Sequence, residues 1–310
     1  MKILITGGAG FIASNIADAY LEDGHEVAIL DSLVTGFRHN VNPRATFFEC
    51  DVRDTERVAQ CFDEFRPDVV SHHAAQMDVR TSVLDPVFDA DVNIRGALNV
   101  LQSAARVGTQ RFLFASTGGA VYGEPQFLPV TEEHPVAPES PYGLTKFTFE
   151  HYLRIWSRLH PITPVVLRYA NVYGPRQTAH GEAGVVAIFS GLLLQNKPCT
   201  IFGDGTMTRD YVYVGDVVAA NRLALTRGDN QAVNIGTGIE TSTREVFDAI
   251  YAAVGNGPAE PIHKPERPGE VHNICLDNSR ARAALGWQPQ VAFREGVRRT
   301  VEWQRQASKR

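Results

Sequence analysis

The sequence lacks any hydrophobic run long enough to cross a membrane. None of the apolar stretches in its 310 residues approaches the roughly 18 consecutive apolar residues that a spanning helix needs. The apolar run near the N-terminus, residues 3–5, is also far too short for the apolar region of a signal peptide. From these absences we expect a cytoplasmic protein with no membrane partner.

Cysteine is scarce, and its spacing argues against two kinds of site. The four cysteines lie far apart and form no CxxC pair: they are Cys50, Cys61, Cys199 and Cys275. This spacing is typical neither of a disulfide framework nor of a metal site, so we expect four reduced thiols and no metal.

Positive charge is not in excess either. Lys and Arg number 30 against 35 Asp and Glu, which gives a formal net charge of −5. This balance argues against a nucleic-acid partner or a membrane-surface face, although it leaves room for a local basic phosphate site.

What is present is a regular alternation of two patterns. Short apolar runs of strand length occur at 2–6, 26–30, 46–50, 68–71 and 111–116. Segments with helical spacing occur at 11–22, 55–64 and 86–106, followed by a helix at 142–158 and a strand at 164–169. Alternation of this kind predicts an α/β fold with a parallel sheet covered on both faces. After about residue 175 the pattern loosens, so we expect a second, smaller lobe there.

The strongest local signal is a glycine-rich turn between the first strand and the first helix. Gly8, Gly10 and Ala13 fit the G-x-G-x-x-G/A pattern, with Gly7 before them. Glycines permit the tight turn and let the backbone approach a pyrophosphate, and the small residue lets the helix pack on the sheet. The helix N-terminus then presents free N–H groups to the anion. We therefore predict a dinucleotide site.

Asp31 ends the second strand and indicates which dinucleotide is bound. A carboxylate at this place can accept hydrogen bonds from both ribose hydroxyls and repels a 2′-phosphate. Ser32 follows it, where a basic residue would favour the phosphorylated cofactor. The predicted cofactor is NAD.

Tyr142 and Lys146 are the candidate catalytic pair. They are four residues apart on a predicted helix, so both project from one face. A phenol is a poor base at neutral pH, since its ordinary pKa is about 10. A nearby ammonium and the positively charged nicotinamide favour the phenolate and lower that pKa.

Hydroxyl groups follow the strand at 111–116, at the carboxyl end where open parallel sheets bind their ligands. Ser116 and Thr117 precede Gly118 and Gly119 there. A hydroxyl at this edge could share the proton that passes to Tyr142.

Three motifs together resemble the extended short-chain dehydrogenases/reductases. They are Thr6-Gly7-Gly8-Ala9-Gly10-Phe11-Ile12, the Tyr142-x-x-x-Lys146 pair and Arg168-Tyr169-Ala170-Asn171-Val172-Tyr173-Gly174. Within that superfamily the chain is most similar to the nucleotide-sugar epimerases and dehydratases, along nearly its whole length. The resemblance implies a Rossmann-type, doubly wound domain at 1–170 and a nucleotide-sugar-binding lobe at 171–310, with some chain returning to the sheet.

The resemblance also implies roles for residues that no pattern singles out. Those expected along NAD are Gly7, Gly10, Phe11, Ile12, Asp31, Ser32, Asp51, Val52, Ala74, Ala75, Gln76, Asn93, Tyr142, Lys146, Tyr169 and Ala170. Those expected along the sugar nucleotide are Thr117, Gly118, Gly119, Tyr142, Asn171, Phe202, Arg209 and Arg267. The two arginines suit a diphosphate, because a guanidinium offers paired donors.

One position departs from the pattern of these enzymes. Counting back from Val121-Tyr122-Gly123, the place of the usual catalytic Ser or Thr holds Gly118. Three replacements stay open: Thr117 reaches across, a water fills the role, or Ser116 rotates in. The glycine pair would also make room beside the sugar. The acid and base that a dehydratase needs are missing from Gly118-Gly119-Ala120, which disfavours that reaction.

The implied activity is reversible inversion at carbon 4 of a UDP-hexose, glucose or galactose, through a 4-keto intermediate. The alternatives are another NAD-dependent nucleotide-sugar enzyme, such as a UDP-glucuronate decarboxylase, and an NAD-binding module without catalysis. The resemblance further implies a homodimer built through residues 86–106 and 142–158. Ile274 takes the place that varies against the sugar's 2-substituent, and the choice between plain and N-acetylated hexose stays open.

Overall fold

The computed structural model describes residues 1–178, 184–266 and 271–307. The strands, in chain order, are β1 (Lys2–Thr6), β2 (Glu26–Asp31), β3 (Thr46–Glu49), β4 (Val69–His72), β5 (Arg111–Thr117), β6 (Thr163–Tyr169), β7 (Asn171–Tyr173), β8 (Thr200–Phe202), β9 (Thr208–Arg209), β10 (Tyr211–Tyr213), β11 (Gln231–Ile235), β12 (Thr241–Ser242) and β13 (Ile262–Lys264).

The helices are named in the same way. They are α1 (Phe11–Glu22), α2 (Thr55–Phe65), α3 (Val79–Leu84), α4 (Pro86–Ala90), α5 (Ala97–Val107), α6 (Pro141–Leu159), α7 (Val185–Leu194), α8 (Val214–Ala224), α9 (Thr243–Val254), α10 (Ser279–Leu285) and α11 (Phe293–Ala307). A 3₁₀ turn at Arg38–Asn40 and a π-helical turn at Asp91–Gly96 complete the set.

A seven-stranded parallel sheet organises the chain, in the order β11-β6-β5-β4-β1-β2-β3. The chain adds β2 and β3 on one side of β1 and then returns to add β4, β5 and β6 on the other. In sheets of this kind ligands bind in a crevice at the carboxyl edge where the order reverses, which here is between β1 and β4. The predicted Rossmann-type α/β fold is confirmed, and one strand of the second half, β11, completes the sheet beside β6.

Both faces of the sheet are buried, as strands of a doubly wound fold require. Ile3 and Ile5 of β1 face a cluster formed with α1, α8 and α10. Leu4, between them, faces a second cluster formed with α2, α5 and α6. A third cluster fills the space among α7, α9 and α11 and belongs to the second half of the chain. No helix of the described residues is long and apolar enough to span a membrane.

The structure confirms the helix predicted at residues 86–106, with a π-helical turn inside it. Its start is as expected, with Pro86 in the first turn and Asp85 capping it, and the first α-helical part, α4, ends at Ala90. The π-helical turn then widens the backbone before α5 begins. Gly96 lies so close to Val52 that an added Cβ would be 2.7 Å from its Cγ2. The widened turn inserts one extra residue, and the side chain of Asn93 points into the crevice region; π-bulges often mark such functional places.

A buried ion pair fixes α6 to the sheet. Arg168 on β6 donates to both carboxylate oxygens of Glu150 on α6, over 3.0 and 2.6 Å. The same guanidinium donates to the hydroxyl of Tyr122, which in turn donates to Asn234 on β11. Glu150 and Arg168 are 9% and 5% exposed. Each charge is therefore tolerable only because the other is present.

We predict that Glu150→Ala lowers the free energy of unfolding by about 3–5 kcal/mol, because it leaves the Arg168 charge buried without its partner. Urea unfolding measures the difference. Glu302→Ala is the matched control, since Glu302 pairs with Arg298 on the exposed side of α11 and such pairs contribute about 0–1 kcal/mol. Equal and small losses in both variants would contradict the prediction.

Candidate active site

The glycine-rich turn lies against the segment that follows β4. Gly7 has a φ of +69°, and a Cβ at this residue would be 2.7 Å from the backbone N of Ala74. Only glycine satisfies both conditions, the left-handed backbone and the close approach. Thr6 joins the same two segments, because its hydroxyl accepts from the N–H of Ala74 over 3.1 Å. The glycine-rich turn and the segment after β4 are therefore held together, backbone against backbone, at the base of the predicted crevice.

The N-terminus of α1 faces this crevice with its first-turn N–H groups. Gly10 is the N-cap residue and offers no side-chain acceptor to them, and the first turn carries no acidic side chain. Phe11 and Ile12, two expected cofactor contacts, form this turn. A glycine cradle under an uncapped helix N-terminus fits a pyrophosphate, so the residues present suit a dinucleotide such as NAD.

Asp31 lies at the carboxyl end of β2 and is 7% exposed. Its carboxylate accepts from the N–H of Ala9 over 2.9 Å and from the N–H of Leu33 over 2.8 Å. These bonds hold the carboxylate beside the glycine-rich turn. Two oxygens offer about four acceptor positions, so room is left for ribose hydroxyls. Ser32 is exposed next to it.

Asp51 and Val52 follow β3, at the expected adenine edge. Val52 is buried, whereas the Asp51 carboxylate is engaged by the guanidinium of Arg53 over 3.1 and 2.7 Å. This contact holds the pKa of Asp51 below its ordinary value. The sequence pattern gave no sign of Arg53, which adds a positive charge at this corner of the site.

Tyr142 and Lys146 lie in the first two turns of α6. The helix begins at Pro141, and its N-cap Ser140 accepts from the N–H of Gly143 over 3.1 Å. Lys146 is 4% exposed, and its ammonium donates to the carbonyl of Ala115 on β5 over 2.9 Å. The same nitrogen lies 6.0 Å from the ring centre of Tyr142. The two side chains thus share one face, as the spacing predicts.

The ammonium of Lys146 is almost completely shielded from water. Burial lowers the pKa of Lys146 to about 8, and the carboxylates of Asp89 and Glu150 oppose that shift. The pKa of Lys146 is therefore closer to neutrality than that of an exposed lysine, which is suited to a group that assists proton transfer.

Two of the three candidate replacements for the usual Ser or Thr are side chains, Ser116 and Thr117, and they point to different sides of Gly118. The hydroxyl of Ser116 donates to Glu150 over 2.6 Å, in the buried network behind the sheet edge. A Cβ on Gly118 would lie only 2.3 Å from Leu276 Cδ1, so a side chain there requires the buried Leu276 to move. Thr117 Oγ1 lies 3.9 Å from the Cβ position of Gly119, on the side where Asn171 Oδ1 also lies.

Two expectations for this turn need correction. The rotation of Ser116 into the site is wrong, because its hydroxyl is already committed to Glu150. Gly118 does not open space beside the sugar, since its side-chain direction leads into the buried Leu276. Gly119 has no described neighbour closer than 3.4 Å to its Cβ position, so the room that was expected belongs to Gly119 alone.

Gln76 and Asn93 come together beside the crevice. The side chain of Asn93 accepts from the N–H of Gln76 over 2.9 Å and donates to its carbonyl over 2.9 Å. Asn93 also donates to Asp89 over 3.0 Å. Asp89 was not predicted from the sequence, because a single acid in a short helix carries no pattern. Ala75 lies between Ala74 and Gln76 and is partly exposed.

Tyr169, expected behind the nicotinamide, is held by two polar side chains that the sequence reading missed. His73 Nε2 lies 3.1 Å from its hydroxyl, and Asn221 donates to that hydroxyl over 2.8 Å. Burial lowers the pKa of His73 to about 4, so the imidazole is neutral at physiological pH. A His-His pair directly after a predicted strand was the available signal. Ala170 follows Tyr169 and is buried.

The residues expected along the sugar nucleotide come from several loops. Asn171 begins β7 with its side chain exposed, and Phe202 ends β8. The guanidinium of Arg209 donates to the carbonyls of Thr208 and His272, over 2.8 and 3.2 Å. Arg267 lies outside the described residues. Ile274 is 3% exposed and packs in the core.

Asp210 holds these loops together and was also missed. Its buried carboxylate accepts from the N–H groups of Thr237, Gly238 and Leu276, over 2.8 to 3.1 Å. One side chain thereby connects β10 with two loops at the mouth of the crevice. The arrangement as a whole can bind a dinucleotide across the sheet edge and offer a phenol, an ammonium and a hydroxyl to a second ligand.

The chain belongs to the NAD dependent epimerase/dehydratase family, whose model matches residues 3–236. It is 46% identical to UDP-glucose 4-epimerase of Mycolicibacterium smegmatis over 314 residues, which cover 99% of this chain and all of that protein.

Two solved structures are similar over almost the whole chain. UDP-glucose 4-epimerase of Thermotoga maritima, crystallised with UDP-glucose, is 45% identical with a TM-score of 0.97, covering 99% of this chain and 100% of that chain. UDP-glucose 4-epimerase of Thermus thermophilus, in complex with NAD, is 47% identical with a TM-score of 0.94, with the same coverage.

We predict that Asp31→Ala weakens NAD binding about tenfold or more and reduces the preference for NAD over NADP, because the carboxylate that repels a 2′-phosphate is removed. Titration of the cofactor-free protein with each dinucleotide measures both quantities. Glu26→Ala, at the exposed start of β2, is the control. An unchanged ratio of the two dissociation constants would refute the role of Asp31.

Proposed function

We propose that this protein catalyses the NAD-dependent, reversible 4-epimerisation of a UDP-hexose, with UDP-glucose and UDP-galactose as the pair. The observation that carries the proposal is the position of Lys146 at the carboxyl end of β5, bonded to Ala115 over 2.9 Å, with its nitrogen 6.0 Å from the ring centre of Tyr142. The identity of 45–47% to the two 4-epimerases crystallised with UDP-glucose and with NAD supports the choice of substrate and cofactor.

The NAD site would be formed by the glycine-rich turn, the first turn of α1, Asp31 and the segment after β4. NAD supplies a reversible hydride acceptor for carbon 4 of the hexose. The protein's part is to bind the two ligands in register, exclude water and move one proton. Tyr169, held by His73 and Asn221, gives the rear wall of that site a fixed shape.

Tyr142, as its phenolate, takes the proton of the 4-hydroxyl, and Lys146 favours the phenolate by its positive charge. In the same step the hydride of carbon 4 would pass to bound NAD, and it would later return to the opposite face. The ketone left by the loss of proton and hydride would turn about the diphosphate linkage, and Tyr142 would then return the proton to the same oxygen on the inverted carbon. The hexose must therefore be held loosely and the nucleotide firmly.

Thr117 is the hydroxyl that we assign to the position of the usual Ser or Thr. Ser116 is committed to Glu150, and the Cβ direction of Gly118 leads into Leu276. Thr117 and Gly119 are partly exposed, and Thr117 Oγ1 and Asn171 Oδ1 both lie near the Cβ position of Gly119. Thr117 therefore has the access that a donor to the sugar's 4-oxygen needs, and it can share the proton with Tyr142.

The second half of the chain, residues 171–310, binds the nucleotide part of the substrate. Arg209 and Arg267 pair with the diphosphate, Asn171 donates to a phosphate oxygen and Phe202 packs on the uracil. Two guanidinium groups suit this task because each offers paired N–H donors to phosphate oxygens. The site of action is the cytoplasm, which also keeps the four cysteines reduced.

The proposal is tested by incubating the protein as purified, without added NAD, with UDP-galactose. Chromatography of the products and absorbance of NADH are followed together. UDP-glucose that forms without net NADH supports epimerisation with a retained cofactor. Absence of UDP-glucose, even after NAD is added, overturns it.

We predict that Tyr142→Phe reduces kcat at least 100-fold, the lower end of what general acid–base catalysis contributes, while NAD and UDP still bind. The substitution removes the phenolic oxygen that acts as the base and leaves the aromatic ring in place. Tyr152→Phe, further along α6, is the control. Activity of Tyr142→Phe close to that of the control would contradict the assignment.

We also propose a homodimer in which α6 and the α3–α4 region pack on their symmetry mates. Exposed apolar side chains lie on these neighbouring helices: Val83, Leu84, Val87, Leu144, Ile155 and Leu159. The three on α6 are spaced for one helical face. Light scattering at micromolar concentration is expected to give twice the chain mass of 34.1 kDa, and a monomer there would end the proposal.

A further inference from the structure

Asp89 is a buried carboxylate for which the reaction described above has no use. It lies on α4 with 0% of its surface exposed. Its three side-chain partners are neutral: Gln76 donates over 2.9 Å, Asn93 over 3.0 Å and Thr145 over 2.8 Å. A carboxylate costs free energy in such a place unless a charge nearby balances it.

The three partners of Asp89 are the supports of the active site. Gln76 follows β4 along the cofactor crevice, and Asn93 comes from the π-helical turn. Thr145 directly precedes Lys146 on α6. One side chain thus connects the cofactor crevice, the π-helical turn and the helix of the catalytic pair.

We propose that Asp89 is a positioning residue for the reaction: it binds Gln76, Asn93 and Thr145 into one cluster, and its bond to Thr145 places a negative charge at the helical turn that carries Lys146. This inference rests on the proposed function and adds to it a group that supports the catalytic pair. Glu150, the other carboxylate near Lys146, is paired with Arg168. The hydrogen-bond partners of Asp89 carry no charge, so none of them neutralises it.

The pKa shifts around Lys146 agree with different roles for Asp89 and Glu150. Burial raises the pKa of Asp89, and the ammonium of Lys146 is among the groups that oppose the rise. Asp89 in turn is the first of the two carboxylates that hold up the pKa of Lys146 against burial. The imidazoles that face Lys146 from the end of β4, His72 and His73, are neutral because burial lowers the pKa of each.

The charged groups of the π-helical turn are engaged with one another, and the acids at the starts of α3 and α4, Asp78 and Asp85, cap their helices. Asp91 and Arg95 of the π-helical turn form an ion pair, and Arg53 joins Asp91. Asp78, before α3, accepts from the N–H of Thr81. On the first turns of α6 the other titratable neighbour is Tyr142 itself. Asp89 is therefore the carboxylate whose removal changes the balance at Lys146 most directly.

Asp89→Asn removes the negative charge of residue 89 and allows its hydrogen bonds to be kept. The amide oxygen can accept from Gln76 and Asn93 as the carboxylate does. The amide nitrogen can donate to Thr145, whose hydroxyl can turn its own proton to the Tyr142 carbonyl 3.0 Å away. The cluster is thereby kept, and one negative charge is lost.

The test is the titration of Lys146 by NMR in protein labelled at its five lysines, with the signal assigned by Lys146→Arg. We expect Asp89→Asn to lower the pKa of Lys146 by about one unit, as loss of one nearby opposite charge does. The bell-shaped pH profile of kcat should move to lower pH by a similar amount, with KM for the sugar nucleotide changed less than about threefold, because Asp89 does not touch that ligand.

Asp216→Asn is the matched control. Asp216 is another buried carboxylate, accepts from the N–H groups of Gln290 and Val291, and lies outside the site. Its loss should leave both the Lys146 titration and the pH profile unmoved, even where stability falls. If Asp89→Asn does not fold, Asp89→Ser is measured in the same way.

The two readouts separate the failure of this inference from that of the proposed function. An unshifted Lys146 titration in the Asp89 variant overturns the electrostatic role, whatever the activity. A uniform loss of kcat with an unmoved pH profile does the same and reduces Asp89 to a structural part. Absence of epimerisation in the unsubstituted protein counts against the function alone, because the titration does not depend on turnover.

Discussion

The active site depends on keeping one positive charge out of water. Lys146 is placed under the sheet edge by α6 and held by a backbone carbonyl of β5, so its ammonium cannot move away from Tyr142. An ion in such a place is stable only with compensating negative charge. Asp89 and Glu150 are the two carboxylates that oppose the effect of burial on the pKa of Lys146. Whatever Tyr142 and Lys146 do therefore depends on the acids placed around them.

The chain's local patterns predicted those parts of the site whose chemistry requires a fixed spacing. The glycine-rich turn, Asp31 and the Tyr142–Lys146 pair lie at the sheet edge where the patterns indicated. The residues that were missed work through contacts between distant segments. Asp89 reaches Thr145 across 56 positions, and Asp210 reaches Leu276 across 66. Contacts between segments so far apart leave no periodic pattern in the sequence.

The errors have equally local causes. The helix at residues 86–106 was predicted without its π-helical turn, because such a turn keeps the apolar spacing of an α-helix almost intact. Ser116 and Thr117 are adjacent hydroxyls at a strand end, and only the alternation of the strand decides that one faces the buried ion pair and the other the crevice. Leu276 explains why residue 118 is a glycine, because it occupies the space that a side chain at residue 118 would need. The sequence could not show this, since the two residues are far apart along the chain.

The position of β11 has a consequence for how the chain is made. This strand comes from residues 231–235 but pairs with β6, which ends at Tyr169. During synthesis the first six strands emerge well before their last neighbour, and β6 presents an unpaired edge for that time. Exposed edges of this kind favour association with other chains. The nascent chain is therefore most exposed to aggregation, and most in need of chaperones, between the emergence of β6 and that of β11.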